Sequence, residues 1–123
     1  MWQISALIPP ILYIFLYFIG WFSGGKCNNK KRLDGKIVVI TGGNTGIGYE
    51  TALDLSKRGA KIIMGCRDMK KAQKACEKMG SEACVFPLDL ASFASVKKFA
   101  DEVRKVTEKV DFLINNAGKN VYF

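Results

Sequence analysis

Lys36-Ile37-Val38-Val39-Ile40-Thr41 runs directly into Gly42-Gly43-Asn44-Thr45-Gly46-Ile47-Gly48, and this junction restricts the fold of the 123-residue chain more than any other feature. Ile37 to Ile40 is a short, mostly β-branched apolar run, the composition of a parallel strand covered on both faces. The glycines begin where it ends. At positions 42, 46 and 48 they permit a sharp turn, a close backbone approach to an anion, and tight packing of the following helix on the strand. That helix would aim free N–H groups and a partial positive charge at the anion. The junction therefore predicts a phosphate cradle at the carboxyl end of the first strand.

Downstream, strands and helices alternate. Ile47 to Arg58 carries apolar or small residues at 47, 51, 52 and 55, a helical stripe, and Gly59 stands where a helix commonly stops. Lys61 to Cys66 reads as a second strand. Asp68 can cap the next helix, in which Ala72, Ala75, Cys76 and Met79 fall on one face, and Gly80 ends it. Ala83 to Leu88 reads as a third strand with Asp89 at its end. Ser92 is the expected N-cap of a helix whose stripe is Val96, Phe99, Ala100, Val103 and Val106. Val110 to Ile114 is the fourth strand. This alternation predicts right-handed crossovers and an α/β, Rossmann-type, doubly wound parallel sheet, preceded by an N-terminal hydrophobic helix.

The glycine spacing T-G-x-x-x-G-x-G, taken with Asn115-Asn116-Ala117-Gly118 at the end of the fourth strand, resembles the short-chain dehydrogenase/reductase family over roughly residues 33 to 118. The resemblance implies strand order 3-2-1-4-5-6-7, of which this chain supplies the first four. Val110, Phe112, Leu113 and Ile114 would then form an open edge, and the fragment would be poorly stable alone. It also implies a nicotinamide dinucleotide held by Gly42, Asn44, Thr45, Gly46, Ile47 and Gly48. Asp89 and Leu90 would lie against the adenine. In the Asn-Asn-Ala-Gly segment the asparagine steadies the central sheet, and the backbone of Ala117 and Gly118 lies against the ribose; Asn116 belongs to this set. At the end of the second strand, Cys66-Arg67 offers a guanidinium suited to a 2′-phosphate, which favours NADP(H) over NAD(H). Asp68, one residue on, could instead meet a ribose or cap the helix.

The family's proton-transfer machinery is a Ser and a Tyr-x-x-x-Lys pair, the lysine lowering the tyrosine's pKa. This chain has no Tyr-x-x-x-Lys: Tyr13 and Tyr17 lie in the hydrophobic N-terminus, Tyr49 is followed by Leu53, and Tyr122 is next to last. No catalytic residue is therefore assigned. Arg-Leu-Asp-Gly-Lys at 32–36, the glycine segment and Cys-Arg-Asp at 66–68, behind a hydrophobic N-terminus, are similar to the microsomal retinol dehydrogenase group. That implies hydride transfer on a lipophilic alcohol or carbonyl such as retinol or retinal, at the endoplasmic reticulum membrane. A homo-oligomer would form through elements this chain lacks. The alternative is a non-catalytic, truncated nucleotide-binding module or decoy subunit.

Charge and cysteine content narrow the alternatives. Residues 1–25 hold no Asp, Glu, Lys or Arg, so the net charge of +8 belongs to the remainder. Such a balance suits an anionic membrane surface or an anionic cofactor. The basic and aromatic interleaving of a nucleic-acid binder is missing. With no histidine and no C-x-x-C pair, Cys27, Cys66, Cys76 and Cys84 make a zinc site untenable. Cys66, Cys76 and Cys84 read as buried small hydrophobes in a reducing compartment.

Ile4 to Phe22 is 19 residues without a charge. On one helix Trp2 and Trp21 would stand roughly 28 Å apart, close to the thickness of a bilayer core. Lys26, Lys30, Lys31 and Arg32 follow, which orients the domain toward the cytoplasm. Pro9-Pro10 would shorten the helix and suit an interfacial anchor, and Ser23-Gly24-Gly25 could be the cleavage site of a signal peptide, or the segment a soluble apolar tail. The expected organisation is an anchor over 1–23, a basic linker over 24–32 and the dinucleotide-binding part over 33–123.

Overall fold

A computed structural model describes residues 8–22, 29–80 and 83–118. The elements are α1 (Ile8–Phe22), β1 (Ile37–Thr41), α2 (Gly46–Lys57), β2 (Lys61–Cys66), α3 (Met69–Met79), β3 (Ala83–Pro87), α4 (Phe93–Val106) and β4 (Phe112–Ile114). The four strands form one sheet, parallel as the alternating pattern predicts, in the order β3-β2-β1-β4 that the resemblance implies.

Alternation along the central strands sends side chains to two separate cores. On one face Val38, Ile40, Ile62, Met64 and Cys66 pack with Ala52 of α2 and Ala72, Ala75, Cys76 and Met79 of α3. On the other, Val39 and Ile63 meet Leu88 and, from α4, Phe99 and Val103. α2 and α3 cover their face largely with small residues, Ala52, Ala72, Ala75 and Cys76, whereas α4 contributes Phe99 and Val103. Both expected caps form: Asp68 accepts from the Lys71 N–H at 3.1 Å, and Ser92 from the Ser95 N–H at 3.3 Å.

The strand starts are tied together as well. Asp111 accepts from the Ile37 N–H at 2.9 Å and from Lys36 Nζ at 2.9 Å, while its own N–H donates to the Ile37 carbonyl. β4 begins at Phe112 and not at Val110, and Asp111, just ahead of it, binds Ile37 through both its carboxylate and its own N–H.

Several expectations are corrected. Ile47 is 82% exposed and lies off the α2 stripe, because the first turn of α2 projects past the end of the sheet. Cys84 is half-buried, since its strand is an edge, and Val106, the last residue of α4, is exposed. β3 stops at Pro87, which cannot donate to a ladder. On the opposite edge, Phe112 and Leu113 are 47% and 62% exposed, one on each face of β4.

Helix α1 runs through Pro9 and Pro10, both in its first turn, where missing N–H groups cost nothing. Its 15 residues span about 22 Å, and no helix among the described residues is long and apolar enough to cross a membrane. The expectations placed on Trp2, Ser23-Gly24-Gly25, Lys26, Cys27 and Tyr122, and on the side chain of Trp21, lie outside the described residues.

Candidate functional site

All four strands point the same way, so the segments that follow them gather at one end of the sheet. After β1 the chain turns at Gly42 (φ 67°) and again at Gly46 (φ 59°), left-handed conformations that favour glycine. Gly42 N–H donates to the Gly65 carbonyl at 2.8 Å, which carries the β1–β2 pairing one residue into the turn. Helix α2 then starts with Thr45 at its N-cap in extended geometry, and the threonine side chain makes no capping bond. The first N–H groups of α2 are thus left to an outside acceptor. Ile47 stands out of this opening in the first turn.

The turn is locked from behind by the segment after β4. Asn116 Nδ2 donates to the carbonyls of Thr41 and Gly42, each at 3.1 Å. The backbone N–H groups of Asn116 and Ala117 both donate to Thr41 Oγ1, at 3.1 and 3.0 Å. A Cβ on Gly48 would collide with Asn116 Nδ2 and come within 2.5 Å of the Gly42 carbonyl oxygen; one on Gly42 would lie 3.1 Å from Ala117 Cα. Strand end, turn, helix start and Asn-Ala segment therefore pack closely, tied by the Asn116 amide and the Thr41 hydroxyl. Among the described residues no buried side-chain nitrogen or oxygen lacks a partner.

The flanks come from β2 and β3. Cys66 is buried, and burial pushes its thiol above its ordinary value, opposed by the N–H groups of Gly43, Asn44 and Gly42. It lies beneath the turn as a buried small hydrophobe. Arg67 follows, exposed. Asp68 is committed to α3: the Lys71 N–H foremost holds its carboxyl below the usual range, with Lys71 Nζ 3.6 Å away. After β3, Leu88 is buried and its N–H donates to the Cys66 carbonyl at 3.0 Å. Asp89 closes a short turn by accepting from the Ala91 N–H, and its own N–H donates to Ser95 Oγ. Asp89 and Leu90 are exposed beside the opening, and so are Asn115, Ala117 and Gly118.

Every residue expected to line the cleft is thus found at this end of the sheet. The sequence reading quoted Thr41 within the glycine motif but gave no role to its hydroxyl, which receives two backbone donors, and it did not single out Ser95, which fixes the turn at Asp89. A lone threonine at a strand end carries no distinguishing signal until its partner strand is known. The described residues contain no cluster of three potential metal ligands. Among the described tyrosines, Tyr13 and Tyr17 lie on α1, and Tyr49, on α2, packs against the core.

Comparison with known proteins gives a consistent picture. The family model for short chain dehydrogenase matches residues 36–122. Human "Retinol dehydrogenase 13" is 45% identical over 103 residues, which cover 80% of this chain and 31% of that protein. Among solved structures, the RhlG/NADP active-site complex of Pseudomonas aeruginosa superposes with a TM-score of 0.70 at 28% identity, covering 76% of this chain and 38% of that one. The 3-ketoacyl-(acyl-carrier-protein) reductase from Brucella melitensis complexed with NADH gives 0.67 at 34% identity, covering 70% and 35%. The chain spans about a third of the length of the proteins it matches.

Proposed function

This chain belongs to the short-chain dehydrogenase family, and from that premise we propose that it is the dinucleotide-binding part of a membrane-anchored oxidoreductase acting on a lipophilic alcohol or carbonyl, of the retinol/retinal type. The observation that carries the reading is the opening above Thr41: two left-handed glycines, a helix start without a side-chain cap, and a Gly48 that admits no Cβ. These features fit a diphosphate held by main-chain N–H groups of residues 42–48. When bound, a nicotinamide would accept or deliver the hydride. Ala117 and Gly118 would border the ribose, while Asp89 and Leu90 would border the adenine.

NADP(H) is favoured over NAD(H) because the end of β2 presents Arg67 while Asp68 is occupied with capping α3. An acidic side chain free at that point would repel a 2′-phosphate. The chain has no Tyr-x-x-x-Lys, so its own residues bind and orient, and proton transfer falls to residues outside it. The same fact supports a second reading, a nucleotide-binding module without turnover.

Membrane attachment rests on α1. Its side chains from Leu12 to Ile19 are between 48% and 71% exposed, on every side of the helix. A helix apolar all round, with these side chains about half exposed or more, suits lipid. At 15 residues it suits a shallow or interfacial anchor within the proposed segment 1–23, followed by the 24–32 linker and the domain part 33–123. Lys30, Lys31 and Arg32 then favour a domain on the cytoplasmic side, as on the endoplasmic reticulum.

Calorimetric titration of the chain with NADPH and NADH tests the reading. It expects saturable binding with NADPH tighter, and loss of that preference in Arg67→Ala. Equal affinity of the wild type for both would overturn the NADP assignment, and no binding of either would overturn the site.

A further inference from the structure

Exposed lysines without an ion pair among the described residues occur on α2 (Lys57) and α4 (Lys97 and Lys98) as well, but only α3 sets three of them in a row along one face. On α2, Arg58 is paired with Asp54 at 2.8 Å; on α4, Arg104 pairs with Asp101 at 2.9 Å and Lys105 with Glu102 at 2.8 Å. On α3, Lys70, Lys74 and Lys78 are exposed and make no ion pair among the described residues. At 100° per residue these three fall within an arc of about 80°, and they stretch over about 12 Å of helix. Lys71 stands at the side of the stripe, tied to Asp68, and Glu77 at its other side is its one further carboxylate. Arg67 lies at its head. The opposite arc, Ala72, Ala75, Cys76 and Met79, is buried in the core, so the stripe faces solvent squarely.

The stripe also has a direction. Its head adjoins the cleft, but Lys78 is next to Met79, whose carbonyl accepts from Ser56 Oγ in the last turn of α2, at the far end of the sheet. A row of cations running the depth of the domain exceeds what one dinucleotide seated at the carboxyl ends can neutralise. It matches an extended array of anions. We propose that the solvent face of α3, through Lys70, Lys74 and Lys78, docks the domain on the anionic headgroups of the bilayer in which α1 is anchored. Long lysine stems can lie along the helix while their ammonium groups reach the headgroup layer. The proposal rests on the reading of α1 as a membrane anchor and adds a second, purely electrostatic contact.

The test is flotation of the full chain with vesicles of phosphatidylcholine alone and of phosphatidylcholine with 30% phosphatidylserine, a composition of about the anionic share needed for such attraction. Each lysine near such a surface contributes roughly five-fold to partitioning, so the combined Lys70→Gln, Lys74→Gln, Lys78→Gln variant should lose about a hundred-fold of the phosphatidylserine-dependent increment. The increment should also collapse in high salt. Binding to neutral vesicles through α1 should be unchanged, and circular dichroism of the variant should match the wild type, since all three sites are exposed. An increment retained by this variant, and lost instead in Lys30→Gln, Lys31→Gln, overturns the proposal and leaves the anchor intact. Failure of the wild type to bind neutral vesicles overturns the anchor reading separately.

Discussion

Replacing Gly48 with alanine adds a single methyl group and should be among the most damaging small changes in this chain. The new Cβ would overlap Asn116 Nδ2 and sit 2.5 Å from the Gly42 carbonyl oxygen, against the 3.4–4 Å of ordinary contact. Something must move by about 1 Å, and overpacking of this kind costs roughly 1–3 kcal/mol. If Asn116 yields, its bonds to the Thr41 and Gly42 carbonyls are lost, a further ~1–2 kcal/mol. Alanine is the better helix former by about 1 kcal/mol, which offsets part of this. The net expectation is destabilisation of about 1–4 kcal/mol, read as a lower urea midpoint by circular dichroism, together with weaker NADPH binding. Combining Gly48→Ala with Asn116→Ala should cost less than the sum of the two, because one of the colliding atoms is gone. A midpoint that rises in Gly48→Ala, as helix propensity alone dictates, would refute the packing described for the turn.

The two asparagines after β4 should behave differently: Asn116→Ala should cost about 1–3 kcal/mol through two unsatisfied carbonyls, whereas exposed Asn115→Ala should stay within about 0.5 kcal/mol, both measured by urea titration. Ile62 is fully buried at the centre of the sheet, and Ile62→Ala should lower stability by about 2–5 kcal/mol in the same assay. Asp111, held below the usual carboxylate range chiefly by the Ile37 N–H and then by Lys36, contributes stability that is complete above the unfolded value of about 4 and is lost as pH falls through its lower folded value. Thermal melts across pH 2–7 should therefore find that Asp111→Asn flattens the acid limb; an unaltered acid limb would remove Asp111 as its cause.

Much of the fold was legible because its determinants are local. The β-branched run 37–40, the glycines after it, and Asp68 and Ser92 ahead of helical stripes each specify an element or a boundary without reference to distant residues. The sheet order needed the resemblance, since no local signal tells whether β4 joins beside β1 or elsewhere. What escaped depended on contacts across the sheet. Thr41 has a role only because β4 delivers the N–H groups of Asn116 and Ala117 to its hydroxyl. Ile47 fits a helical stripe by spacing, yet the first turn of α2 overhangs the sheet and leaves it exposed. Likewise Cys84 alternates correctly for a buried strand, but β3 is an edge with a single neighbour. The link from Asp111 to Ile37 at the strand starts, made by carboxylate and backbone N–H together, likewise joins residues 74 apart in the chain.

The binding of a dinucleotide diphosphate by the backbone above Thr41 is tested most directly by amide chemical shifts of 15N-labelled chain during titration with NADPH. The largest changes are expected at Gly42, Asn44, Gly46, Ile47 and Gly48, with Ala117 following, and little change at the starts of the strands around Lys36 and Asp111. Saturating shifts confined to α3 or to the strand starts, with residues 42–48 unmoved, would contradict the account.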